Sequence, residues 1–164
     1  MVRRMLVTAA LAAIAVVVLV PGGAGAATTG ACLLGGKANI PAGLTTKAKP
    51  ISYTFSGAFS NCKGTGAVKS GAVSASGSGT GSCTGNTTAG SANVTWNTGQ
   101  TSTISFTTKG TGLLVQVTGT FTGGLFAGSK AKAFLLFYTT TPQACNTPAG
   151  LKTANFNGPA TVGV

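Results

Sequence analysis

The chain has 164 residues; 11 are lysine or arginine and none is aspartate, glutamate or histidine, so its formal net charge is +11. Acid–base catalysis, glycoside cleavage by paired carboxylates and most metal sites depend on the three missing residue types. The composition therefore predicts a protein that is not an enzyme and that needs no cofactor or metal ion.

The first 26 residues are typical of a secretory signal peptide. Arg3 and Arg4 form a charged start, residues 6–20 are apolar or small, and Ala24-Gly25-Ala26 offers a cleavage site. The apolar run is shorter than the roughly 20 residues of a membrane span, which favours cleavage over anchoring. General and twin-arginine export both stay open. Residues 27–164 then form one secreted domain without a membrane span, in the medium or at the cell wall.

The first half of the mature chain predicts three strands, at 31–40, 51–59 and, more weakly, 68–75. A proline-bounded loop at 41–50 separates the first two. The Gly/Ser/Thr segment 74–90 has two interpretations. It is a solvated loop or ragged edge strand, or a flat strand whose alternating glycines, Gly77, Gly79 and Gly81, allow another backbone to approach closely. The composition favours the first interpretation, the loop or ragged edge strand.

Residues 91–122 carry the clearest pattern, three strands in succession. Apolar residues alternate with polar ones, as Val94 and Trp96 do in the first of them. Turns are predicted at 97–100 and 109–112. Trp96 shares the apolar face with Val94, so we expect this single tryptophan in the core rather than exposed as a platform for a sugar.

The last strands are predicted at 131–140 and 151–156, separated by a loop at 141–150. Residues 134–138 are continuously apolar, which favours a strand covered on both faces or lying at the centre of a sheet. No segment after the leader shows helical periodicity. About eight short strands predict an all-β fold, a single antiparallel β-sandwich or a partly closed barrel.

Four cysteines in an exported chain predict two disulfides, for which three pairings are possible. We favour Cys32 with Cys62, because antiparallel pairing of the strands around the 41–50 loop sets these positions opposite each other. Cys83 and Cys145 then form the second bridge.

All the charged side chains of residues 27–164 are lysines. They are scattered and accompanied by no arginine, so no nucleic-acid partner is expected. An anionic cell-wall polymer or glycan is the partner that this charge predicts, with Lys130 and Lys132 the best local pair and Lys109 and Lys152 further candidates. The other interpretation is that the lysines only keep the protein soluble and discourage strand pairing between molecules.

Several segments together resemble a group of small secreted β-sandwich proteins of actinomycete-type bacteria that has no assigned activity. These segments are the leader and the stretches TTGACLLGGKANIPAG, ISYTFSGAFSNCKGTG, VTWNTGQTSTISFTTKGTGLLVQVTGTFTGGLFAGS and LLFYTTTPQAC. The resemblance implies the fold and export, and it carries over no functional residue.

Two functions of different class follow. The first is a non-enzymatic module of the cell envelope that binds an anionic wall polymer or has a structural role there. The alternative is an extracellular carrier of a small apolar or glycan ligand, held in a cleft between sheets or at the loop end near Leu125 and Phe126.

Overall fold

The computed structural model describes residues 30–163, which form eight antiparallel strands. Each strand pairs with the next along the chain and the last pairs with the first, so the sheet closes into a barrel. The strands are β1 (Gly30–Leu44), β2 (Lys49–Lys63), β3 (Gly71–Ser82), β4 (Gly85–Trp96), β5 (Thr101–Thr111), β6 (Leu114–Gly124), β7 (Lys130–Tyr138) and β8 (Leu151–Val162). A short 3-10 helix, Pro142–Asn146, lies between β7 and β8. The predicted signal peptide lies outside the described residues.

This architecture confirms the prediction of an all-β protein of about eight antiparallel strands. Of the sandwich and the partly closed barrel, the sheet takes the barrel form, and its closure is complete. β1 and β8 pair from Gly30 opposite Val162 to Asn39 opposite Thr153. Closure matters physically because the two strands that would be the edges of an open sheet satisfy each other's backbone hydrogen bonds.

The two ends of the barrel differ, and we call them the base and the mouth. The base contains the start of β1, the end of β8 and the connections 64–70, 97–100 and 125–129. The mouth contains the connections 45–48, 83–84, 112–113 and 139–150. Because side chains alternate along each strand, every second residue points into the barrel.

The base is filled by aromatic side chains. Trp96 is 2% exposed and stacks on Phe59 with ring centroids 5.4 Å apart, and Phe126 meets it edge-on at 5.5 Å. The indole Nε1–H of Trp96 donates a 2.8 Å hydrogen bond to Ser102 Oγ. The prediction that Trp96 lies in the core is therefore confirmed, and its only polar atom has a partner inside the barrel.

The favoured interpretation of residues 74–90, a solvated loop or ragged edge strand, is wrong, because the segment is paired with a strand on either side. Residues 71–82 and 85–96 are two paired strands, β3 and β4, joined by a tight turn. The inward residues of β3 nearer the mouth are glycines because neighbouring atoms fill the space beside them: a Cβ on Gly77 would lie 2.5 Å from Tyr53 Oη. The second interpretation, a flat glycine-bearing strand, is the structure the chain adopts.

β7 also departs from its prediction. Leu135 is buried in the barrel, but the alternate residues of the apolar run face outward. Phe134, Leu136 and Tyr138 are 55%, 46% and 47% exposed. The continuous apolar run is therefore covered on one face only, since the barrel has a single layer of sheet and nothing in residues 30–163 packs on its outside there.

Both predicted disulfides are present, Cys32–Cys62 at the base and Cys83–Cys145 at the mouth. In β2 a β-bulge at Asn61, whose φ is 52°, places two consecutive side chains outward. Cys62 thereby turns inward to meet Cys32. Within residues 30–163, no helix is long and apolar enough to cross a membrane.

Candidate ligand cavity

A cavity of about 190 Å³ occupies the half of the barrel nearer the mouth. Its floor is a layer of phenylalanines, in which Phe55 lies 5.4 Å from Phe156 and 6.1 Å from Phe106, centroid to centroid. Aliphatic side chains from β1, β2, β6, β7 and β8 form most of its wall. The apolar wall residues are Leu34, Ala38, Ile40, Leu44, Ile51, Val115, Val117, Leu135, Leu151 and Ala154.

The cavity exists because the inward residues change in size along the barrel. On β4 they run from Trp96 and Val94 near the base to Thr88 and Asn86 near the mouth, and on β3 the inward residues of the mouth half are glycines. A Cβ on Gly81 would lie 2.5 Å from Ile51, so even this space is shared with a neighbouring side chain. Large side chains thus fill the base, and small ones leave room at the mouth.

Four polar side chains of the cavity wall form a continuous hydrogen-bonded chain, which we call the polar relay. Tyr53 Oη lies 2.9 Å from Thr88 Oγ1, which lies 2.7 Å from Thr108 Oγ1, and Thr108 donates a 2.8 Å hydrogen bond to Asn86 Oδ1. The relay crosses from β2 through β4 to β5 and returns to β4. It is the principal polar feature of a lining that is otherwise mostly apolar.

The relay has a direction set by its last link. The single hydroxyl proton of Thr108 is donated to Asn86 Oδ1, so the Thr108 oxygen can only accept a hydrogen bond from Thr88. The hydroxyl proton of Thr88 is then used in turn, and Tyr53 must donate to Thr88. This leaves the Tyr53 oxygen free to accept a hydrogen bond and the Asn86 amide free to donate one. Burial raises the pKa of Tyr53 above its ordinary value of 10.0. Tyr53 is therefore a neutral phenol at physiological pH.

The mouth is partly covered by residues 139–150, which we call the mouth strap. Its 3-10 helix contains Cys145, and the disulfide to Cys83 ties it to the turn between β3 and β4. Pro142 and Cys145 line the cavity from above, and Leu113 lines it from the turn between β5 and β6. Leu113 is also 59% exposed, so this side chain belongs both to the cavity lining and to the outer surface of the barrel.

The four lysines proposed to bind a polymer do not form one site. Lys130 and Lys132 are exposed on the outer face of β7 towards the base, and Lys130 Nζ donates a 3.0 Å hydrogen bond to Thr120 Oγ1. Lys109 and Lys152 lie towards the mouth on β5 and β8, with β6 and β7 between them. The structure keeps the predicted local pair together and separates it from the other two.

The loop near Leu125 and Phe126, suggested as a ligand site, belongs to the packed base. Phe126 packs against Trp96 and Phe121, with centroids 5.5 Å apart in both pairs. Both loop residues pack on the hydrophobic core, so they offer no ligand site. The cavity lies at the opposite end of the barrel.

Sequence reasoning missed the residues of the polar relay. Thr88 lies on the same face of β4 as Val94 and Trp96. Thr108 lies on the same face of β5 as Phe106. Extending the alternation towards the mouth would have placed these threonines inside. The relay itself needs the closed barrel, because Tyr53 reaches Thr88 across the intervening β3.

Within the described residues, no three metal-ligating side chains of the His, Cys, Asp or Glu type come together. The cavity therefore offers hydrophobic contact and neutral hydrogen bonds as its means of recognition. No protein-family model matches the chain, and neither the curated proteins nor the solved structures compared with it gave a match.

Proposed function

We propose that the protein binds a small apolar molecule in the mouth-end cavity and acts outside the cell as its carrier. The observation that supports this proposal is the cavity itself, about 190 Å³ of space with an apolar wall and a phenylalanine floor. Ligand sites in proteins are typically concave, mostly apolar and equipped with a few fixed polar groups. The polar relay supplies such groups here.

The volume sets the size of the ligand. An apolar cavity of about 150 Å³ holds a benzene molecule, so this one suits a substituted single ring or one end of a longer apolar chain. Burying about 200–300 Å² of apolar ligand surface contributes about 5–8 kcal/mol before the cost of association. Because association itself costs several kcal/mol of this, we expect dissociation constants no tighter than about 1 μM.

The polar relay favours a ligand with one or two polar atoms. The Tyr53 oxygen accepts a hydrogen bond from a ligand hydroxyl, and the Asn86 amide donates to a carbonyl or ether oxygen. A glycan would bring many hydroxyl groups against an aliphatic wall, where each would lose its hydration without a partner. The lining thus supports an apolar ligand over a glycan.

Export is part of this proposal. It is supported by the leader of 26 residues and by two disulfides, which form and persist in oxidising compartments. A carrier with this cavity would keep a poorly soluble molecule dissolved outside the cell.

The test is a titration of the chain from Ala27 onward, which contains the whole barrel, with the neutral single-ring fluorescent dye 4-(dimethylamino)benzonitrile, whose size matches the cavity. Saturable dye fluorescence, displaced by apolar alcohols of one ring or one short chain, is the expected result. Val117→Phe should abolish it by filling the cavity, whereas Leu33→Ser, a change on the outer face of β1, should leave it intact. Dye binding that does not saturate, or that Val117→Phe leaves unchanged, would contradict the proposal.

Contact with an anionic wall polymer is a second candidate, supported by the neighbouring outward lysines Lys130 and Lys132. Sedimentation with purified cell walls across a salt series tests it. Retention should fall as salt rises, because exposed charges are screened over about 10 Å at 0.1 M. It should also fall when anionic polymers are stripped from the walls or when both lysines are replaced by glutamine. Retention independent of salt would exclude this contact.

A further inference from the structure

The outer wall of the barrel carries one cluster of large exposed apolar side chains, on β6, β7 and the turn before β6. We call it the wall patch: Leu113, Leu114, Phe134, Leu136 and Tyr138. Each member is between 46% and 59% exposed, and Leu114 lies directly opposite Leu136 in the β6–β7 register. Exposed apolar groups are common singly, but a contiguous cluster marks a surface that meets another apolar phase.

Lysines flank the wall patch. Lys109 lies in the same cross-strand row as Phe134, with Gln116 between them. Lys132 precedes Phe134 by two residues on the same outer face of β7. With no aspartate or glutamate in the chain, the charge around the patch is entirely positive.

This combination argues against a second copy as the partner. Two copies meeting through the patch would bring lysines towards lysines, and neither copy has an acidic side chain to neutralise them. It also argues against a soluble polyanion alone, which would satisfy the lysines but leave Phe134, Leu136 and Leu114 in water. The fitting partner is anionic on its surface and apolar just beneath it.

We propose that the wall patch docks on the surface of an anionic lipid bilayer. Phe134, Leu136 and Leu114 enter the boundary between headgroups and acyl chains, Tyr138 stays at headgroup level, and Lys109 and Lys132 face the lipid phosphates. Leu113 belongs both to the patch and to the cavity lining, so docking brings the Leu113 side of the cavity close to the lipid. The exchange of an apolar ligand with the bilayer at that point rests on the proposed function, but docking itself does not.

The experiment measures sedimentation of the chain from Ala27 onward, free of ligand, with two kinds of vesicle. One contains only neutral phosphatidylcholine, and the other also contains phosphatidylglycerol. We expect binding to the anionic vesicles that weakens as salt rises, and little binding to the neutral ones. Lys109→Gln with Lys132→Gln should weaken it, each lysine accounting for about fivefold. Phe134→Ser with Leu136→Ser should weaken it on the order of tenfold or more.

Matched variants control for charge and apolarity away from the patch. Lys69→Gln removes an exposed lysine from the base, and Leu33→Ser removes an exposed leucine two strands from β7. Both should bind vesicles like the parent protein. The fluorescence of Trp96 reports whether every variant keeps its packed base.

Three outcomes would overturn the proposal. Equal binding to neutral and anionic vesicles would remove the role of charge, and binding unaffected by Phe134→Ser with Leu136→Ser would remove the role of the patch. Binding to soluble polyphosphate without binding to vesicles would point to a polymer partner. A ligand-binding failure in the dye titration leaves this result untouched, because no ligand is present in the vesicle assay.

Discussion

Tyr53 Oη on β2 lies 2.9 Å from Thr88 Oγ1 on β4, and Gly77 on the intervening strand leaves the space that the phenol ring crosses. This contact is the first link of the polar relay. It also places an ionisable group inside a barrel that contains no acidic side chain.

This burial predicts a loss of stability in alkali. The pKa of Tyr53 is raised above 10.0, mainly by desolvation, so its contribution is fully present below pH 10 and is lost as the pH rises through the higher folded-state pKa. The free energy of unfolding should therefore fall more steeply above pH 10 in the parent than in Tyr53→Phe. Urea unfolding of both proteins at several pH values measures the difference, since their lysines are the same. Parallel curves would show that Tyr53 does not contribute.

A larger side chain should lower the free energy of unfolding less in the half of the barrel that contains the cavity than in the packed base. Val117→Phe places a ring in the cavity and should change the free energy of unfolding by less than about 1 kcal/mol. Val94→Phe adds the same atoms at a position that is 0% exposed and should cost about 1–3 kcal/mol or more. Urea denaturation compares them directly. Equal losses would mean that the mouth half is as closely packed as the base.

Ser102 holds two parts of the base together. Its hydroxyl accepts the Trp96 Nε1–H and donates to the backbone carbonyl of Leu125. Ser102→Ala leaves a buried indole N–H without a partner and should destabilise the protein by about 1–3 kcal/mol. Thermal unfolding measures this. Ser105→Ala, an exposed position on the same strand, is the control and should have little effect.

The Cys83–Cys145 bridge should govern how long a ligand stays in the cavity. Replacing both cysteines with serine frees the mouth strap, so the bound dye should dissociate faster, and stability should fall by about 2–4 kcal/mol. Replacing Cys32 and Cys62 with serine should destabilise the base by a similar amount without changing dye dissociation. Stopped-flow displacement measures the rates. Equal acceleration in both variants would contradict a role for the strap.

Stability should be nearly flat in acid. The chain has no Asp, Glu or His, so apart from its two termini no group titrates between about pH 4 and pH 8. The usual cause of acid unfolding, protonation of paired carboxylates, is absent. We expect the melting temperature to move by less than about 5 °C between pH 3 and pH 7. A shift of tens of degrees in that range would show that proton binding by some group of the protein is linked to unfolding, and would contradict the prediction.

Local pattern was sufficient for much of the fold. Alternation around Trp96 predicted the central strands and their inner face, and the antiparallel arrangement of the first two strands predicted the Cys32–Cys62 pair. The pattern of apolar and polar residues was misleading in two strands of unusual composition, β3 and β7. Glycine-rich β3 looked like a loop because its stability comes from neighbouring strands, and the apolar run of β7 looked buried on both faces.

The sequence by itself determined most of the strands, the inner face of the central ones, the disulfide cysteines and side chains whose charge is wholly positive, because each depends on residue identity or on spacing within one segment. Only the tertiary structure decided that the sheet closes, that Tyr53, Thr88 and Thr108 meet inside, and that none of residues 30–163 covers the apolar outer face of β7. These depend on how strands distant in sequence are arranged around the barrel. The space left by small inward residues becomes a cavity only when all eight strands surround it.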